Sequence, residues 1–161
     1  METVVTTLLT ELKTRARLQL NAARPEQPEL RLRDCLHQAA RDVGFAHWEH
    51  GRRVLGGQAV PGDDMGTFWH APRCSSLLNA WFANYTKACA ALDAERDAFL
   101  LPYRRQFVVV NDNFIRELGL DPLEAAWTDA QRDLVRAYGN GTWLTLAFRR
   151  VKAPRSTFAA G

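Results

Sequence analysis

The stretch Arg104-Arg105-Gln106-Phe107-Val108-Val109-Val110-Asn111 constrains the fold more than any other part of the chain. Its β-branched run is apolar on both faces of an extended backbone, which predicts a strand over 104–111 covered on both sides. A covered strand cannot leave its backbone donors and acceptors unpaired, so it requires a partner. Three partners are open: residues 66–70, residues 144–148, or the same strand of a second copy. Pairing with 66–70 is favoured, because it would also fix a long loop.

The rest of the chain reads as helix. Val5, Leu8, Leu9, Leu12 and Ala16 recur at helical spacing and predict a helix over 3–22. Pro25 and Pro28 end it. A second helix is expected over 29–43, closed by Gly44, and a short third one over 46–55. Leu78, Trp81, Phe82, Tyr85, Ala88, Cys89 and Leu92 trace one wide face and predict a fourth helix over 75–94, started by Ser75 or Ser76. A short helix over 113–118 is closed by Gly119. Asp121-Pro122-Leu123-Glu124 is a start signal for a helix running to Tyr138. Residues 142–151 could be helix or strand, with helix favoured, and the tail from Ala153 reads as a loose surface segment.

The expected fold class is therefore mainly α: a compact helical domain with one small β element around residues 105–110. A chain of 161 residues fits one domain. Two lobes, 1–56 and 75–152, would be joined by a packed loop over 57–74. Hydrophobic residues make up 47% of the chain, enough to exclude disorder by composition. The net charge of +3 is mild, and it is distributed as +2 over residues 1–60, −2 over 61–100 and +3 over 101–161. No apolar run approaches the ~18 residues of a membrane span, and the acidic start at Glu2 is unlike a signal peptide. Three cysteines without matched spacing fit free thiols in a reducing cytoplasm.

Residues 36–57, Leu-His-Gln-Ala-Ala-Arg-Asp-Val-Gly-Phe-Ala-His-Trp-Glu-His-Gly-Arg-Arg-Val-Leu-Gly-Gly, are similar to a helical module of bacterial proteins, some of them described as glyoxalase-related. An Ala-rich helix, Gly44-Phe45 and then Trp48 carry the resemblance. The module's Leu-Ser-His-Ser-Gln start is replaced here by Leu30-Arg31-Leu32-Arg33-Asp34, where only the leucine matches. The resemblance implies a pair of packed helices and brings no activity with it.

Asp63-Asp64-Met65-Gly66-Thr67-Phe68-Trp69-His70-Ala71-Pro72-Arg73-Cys74 concentrates most of the reactive side chains in a stretch without periodicity. Such long loops are functional or packed down by their own side chains. Phe68 and Trp69 either plug the core or present an apolar patch; plugging is favoured, with His70 and Cys74 left at the rim. Cys74 beside His70 has the makings of a nucleophile if Arg73 and a helix start lower its pKa. His47, His50, His70 and Cys74 could together ligate zinc, although no Cys-x-x-Cys pair is present and His-Trp-Glu-His is not the metalloprotease spacing. Asp63-Asp64 after Pro61-Gly62 read as turn chemistry. Arg52-Arg53, Arg104-Arg105 and Arg149-Arg150, with Lys152 and Arg155, could form a basic stripe for nucleic acid, but acids interrupt nearly every pair.

The functional expectation is a non-enzymatic bacterial binding or regulatory module, acting through contacts with a protein partner or with itself. Phe68, Trp69, Arg73, Arg104 and Arg105 are the candidate binding residues, and no cofactor is expected. A small zinc or Cys/His enzyme built on His70 and Cys74, and a nucleic-acid binder using the paired arginines, are the alternatives.

Overall fold

The computed structural model describes residues 4–77 and 79–158. About half the chain is helical, and a small three-stranded antiparallel sheet accompanies the helices. Helix α1 spans Val4–Ala23, α2 Leu32–Asp42 and α3 Trp48–Leu55. After a 3₁₀ turn at Pro72–Ser76 come β1 (Asn79–Phe82), α4 (Tyr85–Ala94), β2 (Phe99–Tyr103) and β3 (Gln106–Val110). Helices α5 (Asp112–Glu117), α6 (Ala125–Asp129) and α7 (Gly141–Val151) complete the order. None of the helices described is long and apolar enough to cross a membrane.

Strand β3 is central, as its two-sided apolar run requires, with Val108 facing Trp81 on one side and Leu101 on the other. Its partners are not those favoured from sequence. Residues 66–70 lie in the loop and 144–148 in α7, and both edges of β3 are already taken, so none is left for a second copy. The loop is hydrogen-bonded to the hairpin at its turn, where Met65 N–H donates to Arg104 O and Arg104 N–H to Gly66 O, both at 2.8 Å. Strand alternation sends Phe99, Leu101, Val108 and Val110 into the main core. Leu100 and Val109 point the other way, onto Ala88 of α4.

The helix expected over 75–94 is replaced by the 3₁₀ turn, β1 and α4. Ser75 and Ser76 turn their hydroxyls back onto Pro72 O and Arg73 O, each at 2.9 Å, and Asn79 Nδ2 donates to Leu77 O at 2.9 Å. Side chains that bond locally to backbone compete with helix. The true N-cap is Asn84, which accepts from Lys87 N–H. Leu78, part of the expected apolar face, lies outside the described residues, as do residues 1–3 and 159–161.

The helix expected to reach Tyr138 stops at Asp129. Gln131 and Arg132 take positive φ of 55° and 57°, a conformation that costs a side-chain-bearing residue energy. Asp133 Oδ1 accepts from Val135 N–H at 2.9 Å and Arg136 N–H at 3.0 Å, so its carboxylate caps a tight turn in place of a continued helix. Upstream, Asp121 Oδ1 accepts from Leu123 N–H, but the N-cap position of α6 falls to Glu124, whose side chain makes no capping bond.

The connection 57–74 is packed down. Phe68 and Trp69 are 0% and 2% exposed, in a core that runs from Leu8 of α1 to Phe158 and takes residues from both ends of the chain. Phe68 stacks on Phe45 at 5.6 Å and meets Trp69 edge-on at 4.9 Å. Gly44 makes this crossing possible. Its φ is +98°, its carbonyl accepts from Thr67 N–H, and a Cβ there would stand 2.7 Å from Phe68 N.

Arg150 fixes the loop from the other side. It is 0% exposed and carries no ion pair among the described residues. Its Nε donates to Phe68 O (2.7 Å), Nη1 to Leu118 O and Thr157 Oγ1 (2.7 Å each), and Nη2 to His70 O (2.9 Å) and Thr157 O (2.8 Å). All five guanidinium N–H groups are thereby used. Burial pushes its pKa down to about 9, so it stays a cation at neutral pH. As far as Phe158 the tail is not loose: that residue is buried with its ring centroid 3.8 Å from Arg150 Cζ.

Candidate functional site

A groove of about 380 Å³ opens where the loop 59–65, the β2–β3 hairpin and the segment 134–138 come together. Its walls are Val60 and Met65 from the loop, Pro102 and Phe107 from the hairpin, and Leu134, Val135 and Tyr138 from the segment. Arg104, Arg105 and Arg136 line it as well. Volume and apolar lining fall in the range of ordinary ligand sites.

Each wall is held by polar contacts behind it. The hairpin turns tightly through Arg104 at φ +51°. Asp63 Oδ2 accepts from Val60 N–H at 3.0 Å and from Arg53 Nη2 at 2.8 Å. Those two contacts, the backbone one first, hold its carboxyl below the ordinary range. Asp64 Oδ1 accepts from Gly66 N–H at 2.8 Å, so both acids of the pair are turn formers. Arg105 Nη1 donates to Gly62 O at 2.7 Å. The Tyr138 hydroxyl donates to Val54 O at 2.5 Å and accepts from Ala59 N–H at 3.1 Å, and burial pushes its phenol up.

Tyr85 on α4 separates this groove from a second, more polar cleft of about 430 Å³ lined by Cys89, Arg96, Arg132 and Asp133. Its hydroxyl donates to Asp133 Oδ2 at 2.5 Å. Burial first, then that bond, raises the phenol well above its ordinary value. Asp133 is 5% exposed, and both of its oxygens are occupied.

The histidines and Cys74 serve the frame. His47 Nδ1 accepts from His50 N–H at 3.2 Å and caps α3. His50 Nδ1 accepts from Ala46 N–H at 3.0 Å, which leaves Nε2 as the donor to Asp64 O at 2.7 Å. His37 Nδ1 accepts from Trp48 N–H at 3.0 Å. The zinc set His47, His50, His70 and Cys74 does not assemble, and among the described residues no group of three or more His, Cys, Asp or Glu side chains could hold a metal. His70 instead packs its ring on Tyr103 and Phe114, at 5.1 and 5.8 Å, on the opposite sheet face from Phe107. Burial first, then the Arg150 charge, holds its pKa below the usual histidine value.

Cys74 is fully buried, with its thiol donating weakly to Phe114 O at 3.9 Å. Burial pushes its pKa up to about 11, the reverse of the activation a nucleophile needs. Phe68 and Trp69, counted among candidate binding residues, face the core and offer no surface. Arg73 is exposed on the 3₁₀ turn and does not line the groove. Arg104 and Arg105 do. The expected basic stripe is dispersed: Arg52 pairs with Glu49, Arg53 with Asp63, Arg149 with Glu124, Lys152 with Glu11 and Arg155 with Asp42.

Sequence reasoning missed Tyr85, Arg136 and Tyr138 as groove-forming residues and Asp133 as a lining of the neighbouring cleft, and took Arg150 for a surface cation. For Arg150 a signal exists. It lies seven residues after Trp143, on the stripe with Leu146, Ala147 and Val151 that is buried on α7. For the others no sequence signal exists, because they meet only through the fold. No family model matches the chain, and no curated protein or solved structure matches it.

Proposed function

We propose that this chain is a non-enzymatic binding module that acts through protein–protein contacts, docking an apolar segment of a partner in the groove between residues 59–65, the β2–β3 hairpin and residues 134–138. The observation that carries this reading is the groove itself: a preformed, largely apolar hollow of about 380 Å³ whose backing hydrogen bonds are already satisfied within the chain. Cys74 and His70, the residues on which an enzymatic reading stood, support the frame.

The test is selection of a displayed random-peptide library on the full chain and, in parallel, on Val135→Trp, which fills the groove. Peptides enriched on the first and lost on the second support docking. Equal enrichment on both contradicts it. A second reading, self-association, is favoured by β1, an edge strand with Trp81 42% exposed. A solution mass of one chain at high concentration removes it.

A further inference from the structure

We infer that the segment accepted by this groove is acidic as well as apolar, with carboxylates flanking a bulky apolar side chain; the inference rests on the docking reading above and names the chemistry of the partner.

The argument is charge complementarity. Over residues 101–158 the surface cations Arg116, Arg132, Arg149, Lys152 and Arg155 each pair with a carboxylate of this chain. Arg104, Arg105 and Arg136 form no such pair among the described residues, and all three line the one groove. Arg104 lies over the Tyr103 ring at 5.7 Å. Arg105 donates to Gly62 O, and Arg136 to Gln131 Oε1 at 2.8 Å. The single acid in the lining, Asp63, is taken by Arg53 and Val60, although it lies in the field of Arg105.

Guanidinium groups without a carboxylate partner keep donors in reserve for one, which they bind bidentately. Their placement selects the form of the anion. Arg104 and Arg105 stand on the hairpin turn, and Arg136 on a different wall. Cations on two walls of an apolar floor fit a chain with acids on either side of its apolar anchor better than one terminal carboxylate. They also fit a peptide better than a nucleic acid strand, because the arginine pairs elsewhere that would track a phosphate backbone are neutralised or buried.

The test reads the peptides enriched on the full chain. The expected result is Asp or Glu on both sides of an aromatic or aliphatic residue. Affinity of a synthetic peptide from that set should fall at least tenfold on the Arg104→Glu, Arg136→Glu double variant and fall steeply with salt. Circular dichroism checks that the variant is folded, and a Lys-flanked version of the peptide should bind the variant better than the wild-type chain. Three outcomes overturn the inference while leaving docking intact: enriched peptides without acids, affinity unchanged in the double variant, or full displacement of the peptide by an equal concentration of a single-stranded oligonucleotide. Failure of docking itself shows separately, as equal enrichment on Val135→Trp.

Discussion

Arg150 Nε donates to Phe68 O at 2.7 Å, across a sequence separation of 82 residues. That bond ties the last long helix to the loop whose two aromatic rings fill the core. A buried cation facing only neutral oxygens is costly to desolvate, and it is retained here because it satisfies backbone groups from three separate segments at once.

Arg150→Met leaves the carbonyl oxygens of Phe68, Leu118, His70 and Thr157 without their donor. Unfilled buried acceptors cost about 1–3 kcal/mol each, less what relaxation recovers. The expected loss is about 3–5 kcal/mol in urea unfolding. Arg150→Lys should lose nearly as much, since an ammonium cannot reach five acceptors in a plane. A loss under about 1 kcal/mol for either variant would contradict the role given to this residue.

Tyr85→Phe removes the donor to Asp133 Oδ2 and leaves a nearly buried carboxylate half satisfied. The expected cost is about 1.5–3 kcal/mol. Amide exchange should speed up first over residues 131–136, the turn that Asp133 caps. A uniform change along the chain would instead mean that the bond acts on global stability alone.

How much of this was legible in the sequence divides by range. The helices at both ends and the central strand follow local periodicity, and they form near the expected residues. The failures share a cause. At 75–94 and 121–138 the apolar spacing suits a helix, but Ser75, Ser76 and Asn79 in the first stretch and Asp133 in the second bond their own backbone and break it. The inward turn of Phe68 and Trp69 was legible from their place in a loop. Arg104 and Arg105 were legible as surface cations. The groove was not, because its walls come from segments more than seventy residues apart at their extremes and join only when the hairpin and the broken helix are in place.

Thiol chemistry checks the buried state of Cys74. With its pKa at about 11 and no exposed surface, it should alkylate at neutral pH only as fast as the chain opens. Cys35, buried and also raised, should behave alike, while half-buried Cys89 reacts first. Mass spectrometry of partly labelled chains reads the order. Cys74 labelled ahead of Cys89 would return the nucleophile reading to contention.

The His70 environment sets a pH dependence. Its pKa is lowered on folding, so the unfolded chain takes up the proton first as pH falls past about 6.5. Its contribution to stability is therefore full above that pH and is lost as pH drops towards the folded value. His70→Phe keeps a ring among Tyr103 and Phe114 and removes this slope. Between about pH 7.5 and about pH 5.5 the wild-type chain should lose more of its urea midpoint than the variant. Equal losses would show that another group titrates.

The docking claim meets its most direct test in hydrogen–deuterium exchange of the full chain with and without a selected peptide. The account predicts slowed exchange over residues 59–65, 104–107 and 134–138, with β1 and the surroundings of His70 unchanged. Protection centred on residues 79–82 and His70 instead, with the groove segments unaffected, would contradict it.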